Sequence, residues 1–397
     1  MIKEIGRTDL IGYEKRLKNH KKHVITIAVF VILAVVIVCI YLVNSYLNRT
    51  FNSYKVVDEI ERADSNTVKY ASYGDKIIKY SRDGASAISD DGSVVWNGSY
   101  ELQNPTIDMC GDYVAIADVG GTELYVYNGS DSGTKVEVLL PIVEVEVANQ
   151  GLIAVVMENT DSNLIQLIDP YSSAQVDNVV VEKQTSIQNN GFPVDISISN
   201  DGTKMVTNYL SVKNGVIQSQ VTFYNFGEVG QNEVDRLVGM KDYGDQVIAK
   251  VEFLDNDTVG VYGESSVTLY SMKEINEEIK TLNWDKKINS IFSSSDYFGV
   301  ILEDGNSEGN YQVCAYDLSG KEVMNENVDY QYTSVELSGS DLIFHSETTC
   351  NILRINGTEK FHYEFNKNLS YIFPLNNYTK YYLIDDTNIN IIKLTEE

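Results

Sequence analysis

One unit recurs eight times along most of this chain: a strand, a turn, a second apolar strand, a hairpin, and a third strand that ends in a turn. It starts at Thr67, Thr106, Val143, Val194, Ala249, Asn289, Ser334 and Ser370, at spacings of 39, 37, 51, 55, 40, 45 and 36 residues. Its turns carry Asp83-Gly84, Asp91-Gly92, Asn128-Gly129, Asp201-Gly202, Asp304-Gly305 and Asn356-Gly357, residue pairs that accept positive φ at little cost. A unit of this kind exposes a sheet face that only a neighbouring sheet can cover. The stable arrangement is therefore a closed ring of four-stranded blades. The expected fold is all-β, a β-propeller of eight blades; seven blades, with one unit absorbed as an insertion, is the other arrangement the spacing allows. The eighth unit runs out of chain after three strands. Its fourth is expected from residues 51–60 (FNSYKVVDEI), which would close the ring by pairing the two ends of the chain. Only residues 272–280 (MKEINEEIK) have a helical look.

Ahead of the repeats, residues 24–43 (VITIAVFVILAVVIVCIYLV) contain no charge. At about 1.5 Å per residue such a helix spans the roughly 30 Å hydrocarbon core while satisfying its own backbone. Residues 24–46 are accordingly expected to form a transmembrane helix, with the lipid bilayer as their partner. Residues 1–23 hold seven Lys/Arg against three Asp/Glu, a net +4. This excess sets the N-terminus in the cytoplasm and residues 47–397 outside, as an extracytoplasmic propeller domain of a single-pass plasma-membrane protein. The exit from the apolar run, Val43-Asn44-Ser45-Tyr46-Leu47, lacks the small-residue pattern of a cleaved signal peptide. Val38 before Cys39 likewise does not fit a lipoprotein anchor.

Charge and composition narrow the function classes. The chain has 31 Lys/Arg against 57 Asp/Glu, net −26, which leaves −30 for everything after residue 23. A surface this acidic repels polyphosphate, so no nucleic-acid partner is expected. Four cysteines cannot staple a chain of this length, and four histidines leave little for metal or acid/base chemistry. Gly305-Asn306-Ser307-Glu308-Gly309 matches the G-x-S-x-G pattern of serine hydrolases, but it falls in a hairpin between two strands rather than on a strand-to-helix elbow. His345 and His362 read as strand histidines. Asp255-Asn256-Asp257 and Ser199-Asn200-Asp201-Gly202 offer oxygen ligands without the full set of a calcium loop, and read as turns. Cys110, Cys314 and Cys350 read as free thiols in strands, although Cys314 and Cys350 hold equivalent places in adjacent units and a bridge between them is conceivable. Most of the 27 tyrosines, such as Tyr125, Tyr127, Tyr381 and Tyr382, sit in apolar alternation where strand propensity accounts for them. No catalytic residue, cofactor or metal ligand is expected.

Two resemblances rest on particular residues. Ala87-Ile88-Ser89-Asp90-Asp91-Gly92-Ser93-Val94-Val95-Trp96 and Ala315-Tyr316-Asp317-Leu318-Ser319-Gly320-Lys321-Glu322-Val323 resemble the blade repeat of quinoprotein-like propellers. Their turns are one residue short, Ser89 replaces the usual Asp in the first, and Met324 replaces Trp in the second. The resemblance implies the fold; with 2 Trp in the chain it does not extend to the cofactor. The stretch Ile77-Ile78-Lys79-Tyr80-Ser81-Arg82-Asp83-Gly84, followed by Val95-Trp96-Asn97, Asn104-Pro105 and Gly111-Asp112-Tyr113-Val114-Ala115-Ile116-Ala117-Asp118, resembles an uncharacterised family of Gram-positive single-pass membrane proteins with a propeller-like exterior domain. That family implies location and fold and brings no activity.

The expected function is a non-enzymatic interaction scaffold, holding envelope or secreted proteins on a rigid repeat surface. Two other readings stand beside it. One is a ligand sensor reporting through the single helix, for which a 23-residue cytoplasmic segment is small; the other is an envelope enzyme acting on glycan or peptide through a carboxylate pair.

Overall fold

The computed structural model describes residues 2–396 except 63, 65, 66, 131, 132, 173–177, 304–308 and 376–377; of residues 2–12, 14 and 15 it describes the backbone alone. The Gly305–Gly309 motif therefore lies, but for Gly309, outside the described residues. The chain divides into two units, Met1–Thr50 and Phe51–Glu397. The first is a helix, Ile2–Leu47, whose apolar stretch lies within Arg16–Leu47 with a mean hydropathy of 3.2. It is long and apolar enough to cross a bilayer, as a membrane anchor or a signal sequence would.

In the second unit the described residues form eight four-stranded antiparallel sheets, each built from consecutive strands except the last. Blade 1 shows the pattern: Lys69–Tyr73 lies innermost, followed outward by Lys76–Tyr80, Gly84–Ile88 and Val94–Ser99. The innermost strands of blades 2 to 8 are Pro105–Cys110, Ile142–Val147, Phe192–Ile198, Ile248–Phe253, Ile288–Ser293, Ser334–Ser338 and Leu369–Pro374. Each of the eight repeat starts in the sequence falls within two residues of one of these strands. Seven blades are thereby excluded.

Blade 8 is closed as the sequence suggests. Ser53–Glu61 pairs antiparallel with Asn388–Thr395, from Ser53 opposite Thr395 to Glu61 opposite Asn388, and supplies the outermost strand. Just before it, Phe51 donates its N–H to the Lys360 carbonyl at 2.8 Å and buries its ring with Phe361, Ile392 and Leu394. Burying that one side chain is worth about 1.5–3 kcal/mol. The adjoining Lys360 is fully buried, paired with Asp341 and with its ammonium 3.9 Å from the centre of the Tyr378 ring.

The apolar interior is divided among the spaces between blades. Ile78, Ala87 and Trp96 of blade 1 meet Val114, Ile116 and Tyr127 of blade 2, with Trp96 stacked on Tyr127 at 4.3 Å. The other face of blade 1, including Ile77, meets Tyr382, Ile384 and Ile389 of blade 8. Because both faces of a blade are covered, its middle strands read as unbroken apolar runs rather than as alternation. Cys314 and Cys350 are buried free thiols in two different clusters, with burial pushing the Cys314 thiol up to about 11.

The helical look of residues 272–280 is overturned. Met272 is buried in the blade 4/blade 5 interior, and Glu277–Asn283 is the outermost strand of blade 5, paired with Ser266–Ser271. Without it, the outer edge of Ser266–Ser271 would be left unpaired; that requirement outweighs the helix propensity of Glu and Lys. The charged, exposed side chains of the strand suit a sheet edge.

Two outcomes follow. Removing residues 370–397 deletes two strands of blade 8 and the partner of Ser53–Glu61, so the cooperative thermal transition followed by circular dichroism should be lost rather than shifted. In blade 6, a Cβ on Gly299 would overlap the Phe292 ring and stand 2.5 Å from the Cys314 carbonyl oxygen. Gly299→Ala should cost about 1–3 kcal/mol, measured by urea unfolding.

Candidate functional site

All strand pairs within a blade are antiparallel, so the linkers between blades and the turns joining second to third strands share one face. The first-to-second and third-to-fourth turns share the other. The innermost strands begin at the linker face and line the channel at the centre of the ring, and their outward-reaching carboxylates form one sequence from blade to blade. Asp108 of blade 2 accepts the Val147 N–H at 2.6 Å, Glu144 of blade 3 the Ile196 N–H at 3.1 Å, and Asp195 of blade 4 the Val251 N–H at 2.5 Å. Ser197 accepts the Phe253 N–H at 3.1 Å, and Ser293 donates to Glu252 at 2.7 Å. An innermost strand has one edge without a ladder partner; Asp108, Glu144, Asp195 and Ser197 satisfy it from the preceding blade, whereas Ser293 joins blade 6 to blade 5 side chain to side chain.

Crowding carboxylates in a confined channel raises their affinity for protons. Burial, followed by the proximity of Asp195, pushes Glu144 up to about 8. Burial also raises Glu146, with Asp108 and Glu144 adding to the effect, and it raises Asp108 and Asp195 against the pull of the backbone N–H groups and of Lys250. Lys250 feels burial in the opposite sense, yet Asp195, Glu252, Glu146 and Glu144 together hold its ammonium above the usual lysine range. Between blades 2, 3 and 4 this acidic wall opens into a cavity of about 330 Å³ lined by Thr106, Ile107, Asp108, Val119, Val143, Glu144, Val145, Glu146 and Val194.

Exposed apolar residues lie on the same face, and Val143 and Val194 among them line the opening. Leu139, 88 % exposed, precedes blade 3; Val143, Phe192 and Val194 begin blades 3 and 4; Val247 precedes blade 5. The second and third strands of blade 4, Lys204–Lys213 and Val216–Asn225, run past their neighbours and project from the same face. Their tip turns at Asn214-Gly215, both at positive φ as a two-residue hairpin turn requires, and presents Val212 (71 % exposed) opposite Ile217. Sequence reasoning missed this hairpin and the exposed apolar residues; the Asn-Gly pair and the ten-residue strands of the longest unit were the available signals.

The residues singled out in the sequence are placed elsewhere. His345 and His362 belong to blade 7 but sit on opposite faces: His345 pairs across the sheet with Cys350, while His362 contacts the Asn351 side chain. The Asp255 carboxylate accepts the N–H groups of Asp257 and Thr258, and Asp201 accepts the Thr203 N–H and the hydroxyls of Ser199 and Thr203. The two turns interlock, with Asn256 accepting the Asp201 N–H at 2.9 Å and Lys204 bonded to the Asn256 carbonyl and Asp257. They are turn-forming and blade-joining residues. No group of three metal-ligating side chains occurs among the described residues.

The channel cluster makes stability depend on pH. Glu144 has a folded-state affinity for protons above its unfolded one, so its stabilising contribution is full below about pH 4.5 and is lost as pH rises through about 8. Between pH 5 and pH 8 the melting temperature should fall, and Glu144→Gln should flatten that slope and raise the melting temperature at pH 8.

Comparison with known proteins matches this architecture. The structure is similar to that of BamB from Moraxella catarrhalis, at 13 % identity and a TM-score of 0.51 over 87 % of this chain and 99 % of that one. It is also similar to Sqt1 from Saccharomyces cerevisiae, at 13 % identity and a TM-score of 0.54 over 88 % of this chain and all of that one. At such identities the likeness is one of fold alone. No curated protein matches by sequence. The model of a family of unknown function, DUF5711, matches residues 47–394, the whole propeller but for its last residues, and the chain belongs to that family.

Proposed function

We propose that this chain is a non-enzymatic, membrane-anchored propeller that binds a protein partner on its linker face, outside the plasma membrane of a Gram-positive bacterium. In this reading residues 24–46 span the bilayer, residues 1–23 stay in the cytoplasm, and the propeller holds an envelope or secreted protein. The carrying observation is the linker face: Leu139, Phe192, Val194, Val212, Ile217 and Val247 are exposed on it, and Val194 with Val143 lines an acidic opening. Clustered exposed apolar residues rimmed by charge are the mark of an association surface. The acid beneath them specifies the partner's chemistry, an apolar segment flanked by Lys or Arg, which would fill the 330 Å³ opening and neutralise Glu144 and Asp108. Against catalysis, the channel carboxylates are engaged by N–H and hydroxyl groups of the next blade, a positioning that favours a rigid wall over a mobile acid/base pair.

The test is comparative crosslinking in the native membrane. Full-length protein should retain a partner that Val212→Asp with Ile217→Asp loses, while both proteins keep the same melting temperature and membrane location. Recovery of the same proteins in equal amount by the double variant would overturn this face as the docking surface. A propeller domain found accessible to protease only from the cytoplasmic side would overturn the topology.

A further inference from the structure

A second cavity on the linker face has the opposite electrostatic character. It measures about 540 Å³, lies between blades 1 and 2, and is lined by Lys69, Tyr80, Arg82, Asp83, Gln103 and Asn104 among others. A separate cavity of about 290 Å³ shares Tyr80, Ser81 and Asp83 with it and is lined by Lys79 and Asn97 on the blade 8 side of blade 1. The larger is within the range of small-molecule sites, about 300–1,000 Å³.

Its walls are fixed by backbone bonds. Asp118, largely buried, accepts the N–H groups of Gln103 at 3.0 Å and Asn104 at 2.7 Å through one carboxylate oxygen. Across the cavity the Arg82 carbonyl accepts the Leu102 N–H at 2.9 Å and the Asp83 carbonyl the Tyr100 N–H at 3.2 Å. The linker and the turn are thus tied to each other, and the side chains they carry stand on a rigid frame. Among the described residues the side chains of Lys69, Arg82, Gln103 and Asn104 form no ion pair or hydrogen bond; Lys69 lies 6.0 Å from the centre of the Tyr80 ring. Asp64, at the edge of the smaller cavity, is already paired with Arg62 and Tyr70, so it does not offset the cations. Lys69 and Arg82 then face a single unpaired carboxylate, Asp83, on a domain whose balance is −30.

We infer that this cavity binds an acidic oligosaccharide, a sugar chain bearing carboxylates. Arg82 and Lys69 supply the charge-assisted contacts to a carboxylate, Arg82 in bidentate form. Gln103 and Asn104 each offer a donor and an acceptor to neighbouring hydroxyls, and the Tyr80 ring gives an apolar floor. Asp83 discriminates among anions: it accepts a hydrogen bond from a hydroxyl but repels the concentrated charge of a phosphate dianion, so singly charged carboxylates spaced among hydroxyls suit the cavity better. The site is independent of the apolar docking surface, since it uses blades 1 and 2 and shares no residue with it.

The experiment is calorimetric titration of the full-length chain in detergent with three probes: digalacturonate, its neutral methyl ester, and glycerol phosphate. Digalacturonate should bind saturably at millimolar concentration or below, with affinity at least about tenfold above that of the ester. Arg82→Gln and Lys69→Gln should each lose about that factor with unchanged melting temperatures, whereas Lys55→Gln, on the outer strand of blade 8, should bind as the parent does. The inference is overturned by equal affinity for acid and ester, by tighter binding of glycerol phosphate, by a Lys55→Gln loss equal to that of Arg82→Gln, or by no saturable heat with any probe. None of these outcomes touches the protein-docking surface, which the hairpin variants test separately.

Discussion

Everything in the second unit depends on the pairing of Ser53–Glu61 with Asn388–Thr395. A ring of blades has no layer to close it except the last blade, and here that blade is made from both ends of the domain. Loop-closure entropy opposes bringing residues this distant together, but it grows only slowly with length, whereas the pairing satisfies a full strand edge and seats Phe51. Apart from the packing of blade 1 on blade 8 that this closure brings about, the interfaces join blades consecutive in the sequence. This long-range closure therefore decides whether eight marginal sheets become one cooperative structure, and the buried Lys360, Asp341 and Tyr378 group beside it makes the join specific.

Closure also creates the channel, and with it an unusual chemical problem. Eight innermost strands present unpaired N–H groups toward a narrow space. For the innermost strands of blades 3 to 5 the chain answers from the preceding blade, with the carboxylates of Asp108, Glu144 and Asp195 and the hydroxyl of Ser197. The solution gathers negative charge where water is scarce, and Lys250 balances only part of it. An acidic channel is thus a by-product of building the ring with acidic side chains, and it becomes available as a recognition feature wherever the linkers leave it open, as they do between blades 2 and 4.

Much of the fold was legible because propellers write their period into the sequence. Strand runs such as Ile77-Ile78 and turns such as Asp91-Gly92 mark the blades, and all eight starts fall on an innermost strand or within two residues of one. What local pattern could not reveal was anything set by tertiary neighbours. Residues 277–283 look helical by composition and are a strand because the third strand of blade 5 needs an outer partner. The carboxylates of the channel were invisible for a related reason: Asp108, Glu144 and Asp195 are separated by 36 and 51 residues, and nothing short of the ring places them together. Asp255 and Asp201, conspicuous in the sequence, turned out to serve turns and the joint between blades 4 and 5.

The linker face concentrates the departures from blade regularity. Blade 4 carries the longest hairpin, with an apolar tip that contributes nothing to the core; blades 3 and 5 are preceded by exposed Leu139 and Val247; blade 1 holds cations in an otherwise acidic domain. The opposite face, where Phe51 enters, is occupied by turns that cap themselves, as Asp91 and Asp317 do by accepting N–H groups within their own loops. Selection for stability alone would replace exposed Phe192, Val212 and Ile217 with polar residues, since none is buried and each favours aggregation. They lie on one face, beside two cavities of opposite sign, while the other face carries the entry of the closing strand.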